Sequence, residues 1–298
     1  MSVFPFIEAE KASQRDTVKR SCELLEVSRS AFYEWHQHLR SPRQLADEEL
    51  AERIEAIWTE SRRTYGWPRV HAQLRRDGVH VSRKRVARIM RRRGLIGRCR
   101  RRWTKTTIPD PEAAAVDLIK RAFGPGTVEV NRIYVGDITY IWTWEGWAYL
   151  ATVIDLASRR VVGWALADHM RAELVCDALR MAIDARRPGP GAIFHSDRGT
   201  QYTSTEFAEL LGENKMLQSL SRPRQCWDNA VAEAWFATLK LELIDRRSWA
   251  TRAQVRTAVF EFVEVFYNRR RLHSSLNFMT PVEYEASKID QHQAAHAA

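Results

Sequence analysis

Apolar residues recur at helical spacing in the first third of the chain, and the pattern changes to that of strands after residue 128. One predicted helix covers residues 44–60, and a later one begins after Ser82 as its N-cap and ends at Gly94. Between them, Pro68 suits the first turn of a third helix. The inward-facing positions are Leu50, Ile54, Ile57 and Trp58 in the first helix and Val86, Ile89 and Met90 in the last.

Two shorter helices are predicted ahead of that unit. The first runs from about Gln14 to Leu25, and the second follows Ser28 as its N-cap and continues through Trp35. Two short helices joined by a tight turn are typical of a helix-turn-helix, although such pairs also occur in proteins that never bind DNA. Their small shared core is expected to consist of Leu24, Leu25, Val27, Phe32 and Trp35.

The remainder of the chain predicts a mixed sheet with helices packed on it. The first three strands have short connections and should form an antiparallel meander. The predicted strands are at 132–141, 147–155, 160–166 and 192–194, and the predicted helices are at 171–186 and 252–270. Thr280 and Glu283 have the spacing of a capping box that opens one more short helix. The tail after Ser287 is small and polar.

The positive charge of the chain is concentrated in its front part. Residues 1–126 contain 27 Lys and Arg against 16 Asp and Glu, whereas residues 127–298 contain 20 against 21. A positive module joined to a nearly neutral one indicates that the first contacts phosphates and the second has another task. A merely solvated basic face is the alternative interpretation.

The densest basic run lies on the last helix of the front part and its tail. From Arg83 to Lys105 there are twelve basic residues and no acidic one. That density fits contact with the phosphates of nucleic acid and entry of the helix into a groove. The predicted contact residues on the helix are Arg83, Lys84, Arg85, Arg88, Arg91, Arg92 and Arg93.

Two other classes of protein are disfavoured by the composition. No run approaches the ~20 apolar residues that span a bilayer, and the N-terminus lacks the apolar segment of a signal peptide. The four cysteines Cys22, Cys99, Cys176 and Cys226 are scattered without paired spacing. We therefore expect free thiols in a reducing cytoplasm and no zinc site.

Three acidic residues lie on different predicted elements. Asp137 is in the middle of the first strand, Asp197 follows the fourth strand, and 35 residues lie between Asp197 and Glu233. Glu233 shares a helix face with Lys240, seven residues further along. Carboxylate oxygens suit hard divalent cations such as Mg²⁺, and a packed interior otherwise tolerates their charge poorly.

Each carboxylate also has a simpler interpretation. Asp137 could face water on an edge strand, Asp197 could be a turn residue, and Glu233 with Lys240 could form a solvated stripe. The three together favour a metal site, because a strand end beside the first strand is where Asp197 could meet Asp137.

These stretches resemble the transposases encoded by the second reading frame of IS3-type bacterial insertion sequences, within the retroviral-integrase superfamily. The resemblance covers roughly residues 5 to 285. It is carried by Tyr65-Gly66, Arg69-Val70, the basic helix up to Gly94-Leu95, and residues 136–140, 153–159, 195–199, 228–230 with Glu233 and Lys240, and 267–273.

The resemblance implies an α/β fold: an RNase H-like integrase catalytic core, with a mixed five-stranded sheet and helices, preceded by all-α helix-turn-helix modules. Asp137, Asp197 and Glu233 match the catalytic, metal-binding DDE triad of the family, and Lys240 matches its trailing, nucleic-acid-binding lysine. The implied cofactor is a pair of Mg²⁺ ions, for which Mn²⁺ can substitute. The His/Cys zinc module of retroviral integrases has no counterpart in the spacing here.

The implied activity is metal-dependent DNA strand cleavage and strand transfer. Expected partners are double-stranded DNA at the element ends and target, the product of the upstream reading frame or a fusion with it, and further copies of the chain on DNA. We expect a cytoplasmic, nucleoid-associated enzyme without membrane contact. The alternatives are a catalytically idle DNA-binding regulator and an RNase H-like nuclease that cuts without joining.

Five parts are predicted along the chain. They are an N-terminal helix-turn-helix-like segment at 1–43, a basic helix-turn-helix DNA-binding module at 44–106, a linker at 107–126, the catalytic core with C-terminal helices at 127–286, and a flexible tail at 287–298.

Overall fold

A computed structural model describes residues 3–12, 17–36, 42–98, 128–221 and 230–296 of the chain. The described helices of the front part are α1 (Phe4–Ala12), α2 (Val18–Leu24), α3 (Arg29–His36), α4 (Pro42–Glu60), α5 (Trp67–Arg76) and α6 (Arg83–Arg92). The predicted linker and most of the basic tail after Arg98 lie outside the described residues.

The back part alternates strands and helices. Its elements are β1 (Ile133–Thr143), β2 (Gly146–Asp155), β3 (Val161–Ala167), α7 (Ala172–Arg186), β4 (Ile193–Ser196), α8 (Thr205–Glu213), β5 (Leu217–Leu220), α9 (Ala230–Glu242), α10 (Arg252–Phe260) and α11 (Pro281–His296). A π-helical segment, Glu261–Tyr267, continues α10, and short 3₁₀ turns lie at Ile244–Arg246 and Ser274–Leu276.

Side chains that cap helices determine several of these boundaries. The Ser82 hydroxyl accepts a hydrogen bond from the Arg85 N–H at 3.2 Å, and Gly94 ends the segment with a φ of +64°. The predicted capping box is confirmed, because the Glu283 N–H donates to Thr280 Oγ1 at 3.2 Å and the Thr280 N–H donates to Glu283 Oε2 at 2.8 Å.

The five strands form one mixed sheet in the order β3-β2-β1-β4-β5. β1 pairs antiparallel with β2 and parallel with β4, and β4 pairs parallel with β5. The predicted mixed five-stranded sheet with helices is therefore confirmed. β1 is the central strand, and Asp137 lies on it two residues beyond the end of its pairing with β4, half-buried rather than facing water as in the simpler interpretation.

The sheet separates two apolar cores. Alternation along β1 places Tyr134 against α7 and α8 on one face, and Val135 and Ile141 against α9, α10 and the π-helical segment on the other. Helices α4 to α6 contribute to the second core through residues such as Val70 and Ile89. The front helices and the sheet are thus joined by continuous apolar packing.

Polar contacts strengthen that junction. The Leu272 N–H donates to Tyr65 Oη at 2.7 Å, and Arg69 Nε donates to the Leu272 carbonyl at 2.9 Å. The Arg76 guanidinium pairs with the Glu283 carboxylate at the start of α11. Helix α5 and the residue pair before it are therefore held against the C-terminal segments by hydrogen bonds between residues about 200 positions apart in the sequence.

The N-terminal helices differ from the sequence prediction in one respect. Their buried core consists of Ile7, Cys22 and Phe32, whereas Leu24 and Leu25 are exposed. The prediction for the two leucines was wrong because α1, which was not predicted, supplies Ile7 to the core, and α2 ends at Leu24.

The C-terminal end also differs from the prediction. Helix α11 continues to His296, so the part of the tail that the structure describes is helical where a flexible tail was predicted. Across the described residues, the structure has no helix that is both long enough and apolar enough to cross a membrane.

Gly163 provides a test of the packing between β3 and α7. A Cβ at this position would lie 2.1 Å from the Ala178 carbonyl oxygen and 2.8 Å from the Ala182 nitrogen, both of them backbone atoms. We expect Gly163→Ala to lower the free energy of unfolding by about 2–3 kcal/mol, because overpacking forces the helix off the sheet. Urea denaturation would measure the change.

Gly189→Ala is the matched control, since a Cβ there would meet nothing within 4 Å. Its effect should stay within about 0.5 kcal/mol. Equal destabilisation by the two substitutions would contradict the close approach of α7 to β3.

Candidate active site and nucleic-acid interface

Asp137 lies on the central strand, on the face that packs against α9. Its side chain is half-buried, and its Oδ1 accepts a hydrogen bond from the Ile138 N–H at 2.8 Å. Thr152 stands directly opposite it on β2, and its buried hydroxyl has no hydrogen-bond partner among the described residues. The carboxylate therefore has a confined environment with little compensation for its charge.

The register of the parallel strands places Asp197 beside Asp137. Val135 pairs with His195, so two further residues along each strand lead to the two carboxylates. Asp197 itself follows the end of β4, is exposed, and accepts a hydrogen bond from the Gly199 N–H at 3.0 Å. The end of β4 therefore lies beside β1 as the sequence predicted, and the role of Asp197 with Asp137 stays a prediction.

A buried histidine holds the end of β4. His195 Nδ1 lies 2.9 Å from Ser219 Oγ on β5, and His195 Nε2 lies 3.1 Å from Ser221 Oγ. The Ser221 N–H also donates to the Ser196 carbonyl at 2.9 Å. His195 is a positioning residue that sequence reasoning did not separate from the Asp197 motif, and its signal was a histidine two residues before the carboxylate.

Gly136 of β1 leaves space for an aromatic ring of the neighbouring strand β4 directly behind the candidate site. A Cβ at this position would lie 2.4 Å from Phe194 Cζ and 3.3 Å from Tyr202 Oη. The Phe194 ring occupies that space and packs edge-on against Phe207 of α8, with ring centroids 5.1 Å apart. The glycine before Asp137 is thus explained by packing behind the carboxylate.

Glu233 enters the site from the first turn of α9. Its side chain is exposed, whereas Trp235 and Leu239 on the other side of the helix are buried, as predicted. Lys240 follows two turns later and places its Nζ 5.4 Å from the ring centre of Tyr140 on β1. The predicted N-cap, Asp228 or Asn229, lies outside the described residues.

The electrostatics show that these groups share one environment. The pKa of Asp137 is raised to about 7, first by burial and then by the negative charges of Asp197 and Glu233. The Ile138 N–H and the positive charge of Lys240 act in the opposite direction. The structure therefore brings together all four residues that the sequence singled out for this site.

The chemistry of this donor set fits a hard divalent cation, since it consists of carboxylate oxygens. In the described part of the chain, however, no three His, Cys, Asp or Glu side chains already stand close enough together to hold a metal ion. Asp197 and Glu233 are exposed, so core packing does not restrain their side chains in these positions. The residues thus fit a divalent cation by the type of their ligand atoms and by their location around Asp137.

Three arginines of the basic helix α6 form hydrogen bonds with a single acidic residue on α4. Asp47 on α4 is buried and accepts hydrogen bonds from Arg85 Nε at 2.7 Å, Arg88 Nη2 at 2.8 Å and Arg92 Nη2 at 3.3 Å. Hydrogen bonds from Arg85 and Arg88, together with their charges, lower the pKa of Asp47 against the effect of burial.

The other predicted contact residues of α6 lie on its outer side. Arg93 is 3.8 Å from Glu55, whereas Arg83, Lys84 and Arg91 are exposed and have no acidic partner among the described residues. The helix thus presents cations both from an array organised by Asp47 and from open positions.

The run at residues 267–273 has structural roles that sequence reasoning did not assign. The Asn268 amide accepts from the Val161 N–H at 3.0 Å and donates to the Val161 carbonyl at 2.9 Å, which covers the outer edge of β3. Arg271 forms a buried pair with Glu242 of α9, with hydrogen bonds of 2.6 and 2.8 Å. In the sequence this run carried part of the family resemblance, but nothing in it indicated these contacts.

Comparisons with known proteins agree with this arrangement. A model of the HTH-like domain matches residues 45–103, and two models of the integrase core domain match residues 128–226 and 214–281. The transposase InsF for insertion sequence IS3A of Escherichia coli (strain K12) is 36% identical over 294 residues, which are 95% of this chain and 99% of that relative. The chain belongs to the IS3-type transposases.

Two further proteins are similar to this chain, one in sequence and one in structure. The uncharacterized 31 kDa protein of insertion element IS600 from Shigella sonnei is 35% identical over 88% of this chain and 96% of that protein. A chain of the simian T-cell lymphotropic virus intasome in complex with PP2A regulatory subunit B56 gamma is 17% identical, with a TM-score of 0.46 over 72% of this chain and 70% of that one. The family assignment depends on the sequence relatives.

Membership of this family confirms the predicted activity class. The IS3-type transposase described here is a DDE polynucleotidyl transferase with an integrase core domain and an HTH-like domain. The assignment of its individual catalytic, metal-binding and DNA-binding residues stays a prediction.

Asp47→Asn tests the arginine array of the transposase. The substitution removes the charge that Arg85, Arg88 and Arg92 share, so we expect the free energy of unfolding at pH 7 to fall by about 1–2 kcal/mol. Since the folded-state pKa of Asp47 lies below its ordinary value of 3.8, this stabilisation is present above that value and is lost as the pH falls through the lowered pKa. Chemical denaturation at several pH values would measure it.

Glu55→Gln is the control, because among the described residues the interaction of Glu55 is an exposed pair with Arg93. It should change stability by less than about 0.5 kcal/mol. A gap between wild type and Asp47→Asn that closes already between pH 7 and 5 would be inconsistent with a lowered pKa.

Proposed function

We propose that this transposase cleaves and joins DNA strands at the ends of its insertion sequence, with Asp137, Asp197 and Glu233 as its catalytic carboxylates. The observation that supports the proposal is that acids from β1, the end of β4 and α9 interact electrostatically: burial first, and then the charges of Asp197 and Glu233, raise the pKa of Asp137 to about 7. Carboxylates whose pKa is raised by burial and by neighbouring negative charges cluster at functional sites of proteins.

In this proposal the carboxylates bind two Mg²⁺ ions, with Mn²⁺ as a substitute, and Asp137 occupies the central position. Bound divalent ions would supply Lewis-acid stabilisation of the scissile phosphate and activation of the attacking oxygen. Asp197 and Glu233 would complete the ligand set around the ions that Asp137 helps to hold. Lys240, which lies on the same helix face as Glu233, would contact the phosphate backbone of the bound strand.

The chemistry consists of two phosphoryl transfers at this one site. In the first, a water oxygen attacks a phosphodiester at the element end, the bond to the 3′ oxygen breaks, and that oxygen leaves as a 3′-OH. In the second, the 3′-OH loses its proton and attacks a target phosphodiester, whose own 3′ oxygen departs. No covalent intermediate with the protein is needed, so no serine or tyrosine nucleophile is required.

The basic helix α6 would hold the DNA during these steps. Arg83, Lys84 and Arg91 are open for phosphate contact, and hydrogen bonds to Asp47 orient Arg85, Arg88 and Arg92. We therefore propose the division of tasks predicted from the sequence, in which residues 44–106 grip DNA and residues 127–286 carry out the chemistry.

The proposed setting follows from the reaction. Transposition needs two element ends in one complex, so we propose that several copies of the chain assemble on double-stranded DNA in the cytoplasm, at the nucleoid. The product of the upstream reading frame, separate or fused to this chain, is the proposed additional partner. Activity assays with and without it would decide that point.

Asp137→Asn and Glu233→Gln test the catalytic assignment. The purified chain would be incubated with labelled element-end DNA and Mg²⁺ or Mn²⁺, with and without the upstream product. We expect each substitution to lower the yield of joined product by more than about 100-fold, because the loss even of groups that support a metal ligand costs 10–100-fold. Affinity for DNA should remain.

Glu209→Gln is the matched control, since it makes the same chemical change at an exposed carboxylate on α8. Full activity of Asp137→Asn would refute the assignment. DNA binding without cleavage by the wild type, in either partner state, would favour the idle regulator, and cleavage without joined product would favour a nuclease.

A further inference from the structure

The β1–β2 hairpin carries a group of aromatic side chains that the fold leaves open. Tyr140, Trp142, Trp144 and Trp147 are 58, 57, 75 and 42% exposed. We call these four side chains the hairpin platform. Tyrosine and tryptophan usually bury most of their surface, so four such rings on one hairpin indicate a surface that binds something.

The rings of the platform are ordered against each other. The Trp147 ring packs edge-on against Tyr140, with centroids 5.1 Å apart, and against Trp142, with centroids 4.9 Å apart. Trp142 and Trp147 are also direct cross-strand neighbours in the sheet. Tyr140, Trp142 and Trp147 are therefore held by one another while a large part of each ring remains accessible.

The backbone beneath the rings is anchored as well. Arg252 at the start of α10 donates from Nη2 to the Glu145 carbonyl and from Nε to the Trp147 carbonyl, both at 2.9 Å. The Trp144 N–H donates to the Trp249 carbonyl at 3.0 Å. A ligand of the platform would thus meet a preorganised surface, which reduces the entropy lost on binding.

The platform begins beside the candidate catalytic site. Tyr140 is three residues beyond Asp137 on β1, which is about 10 Å along a strand. The pairing of β1 with β4 ends at Val135, so from Asp137 onward this edge of β1 is not covered by β4. Strand alternation points Tyr140 to the face opposite Asp137, but Lys240 of α9 reaches the Tyr140 ring across the open edge. A strand that reaches the carboxylates can therefore pass along this edge to the hairpin.

The charges near the platform favour a polyanion. Lys240 Nζ lies 5.4 Å from the Tyr140 ring centre. The exposed Arg247 guanidinium lies 4.1 Å from the ring centre of Trp249, whose carbonyl accepts the hydrogen bond from the Trp144 N–H at the hairpin tip. The one acid of the hairpin tip, Glu145, accepts a hydrogen bond from the Arg252 N–H at 2.8 Å. Aromatic rings interleaved with cations are the combination that binds single-stranded nucleic acid.

We propose that the hairpin platform binds unpaired nucleobases of a DNA strand by stacking, with Lys240 at the adjoining phosphate. The proposal rests on the proposed function in one respect: the strand is the one that the carboxylates cleave or join. Stacking on the rings holds bases outside the duplex and keeps their backbone at the site. Because every base has a π face, the platform accepts any sequence.

Binding of a labelled oligothymidylate of about 15 nucleotides, a length that suits such sites, tests this proposal. The full chain would be titrated in the presence of a chelator, so that no cleavage contributes, and fluorescence anisotropy would be measured. The double substitution Tyr140→Ala with Trp142→Ala should weaken binding about tenfold or more, since two stacking surfaces are removed. Affinity for a blunt duplex of equal length should stay unchanged.

Two further variants provide controls. Tyr140→Phe with Trp142→Phe keeps two flat rings and should retain most of the affinity for the oligothymidylate. Phe260→Ala removes an exposed aromatic ring on α10, 51% exposed and outside the platform, and should have no effect. Circular dichroism would verify that each variant is folded.

Several results would overturn the proposal. They are the absence of oligothymidylate binding by the wild type, equal weakening on single strand and duplex, and a change in the size of the protein assembly with unchanged single-strand affinity, which would assign the platform to a second copy. Loss of strand transfer in the wild type together with platform-dependent binding would refute the catalytic assignment and support the platform.

Discussion

The parallel pairing of β1 with β4 is the constraint on which the candidate site depends. It brings the carboxylates of Asp137 and Asp197 to one edge of the sheet, while α9 adds Glu233 from the second core. Repulsion among these charges and partial burial raise the pKa of Asp137 to about 7. Gly136 and His195 support the pairing, one by leaving room for Phe194 and the other by joining β4 to β5.

The same pairing connects catalysis with DNA binding. Because β4 is short, its pairing with β1 ends at Val135, and β1 continues past Asp137 into the anchored hairpin with β2 as its only strand partner in the described sheet. On the other face, α4 to α6 share an apolar core with α9 and α10, so the basic helix is joined to the catalytic sheet by packing. An IS3-type transposase thus holds its cations, carboxylates and exposed rings on one connected framework.

Much of the fold followed from local patterns. Ser82 and Gly94 delimit α6, and Thr280 with Glu283 opens α11, because capping depends on residues within one turn. Predictions failed where distant segments decide burial. The exposure of Leu24 reflects the packing of α1 in its place, and no local signal showed that α11 would extend to His296.

The sequence by itself determined the family, the order of the elements and the identity of the acidic residues, since motif spacing and helical or strand periodicity are local properties. Only the tertiary structure decided that the end of β4 lies beside β1, that Asp47 organises three arginines, and that Asn268 covers the edge of β3. Each of these depends on strand register or helix packing between segments far apart in the chain. Such contacts form only when the core is assembled, so they produce no periodic pattern in the sequence from which they could be predicted.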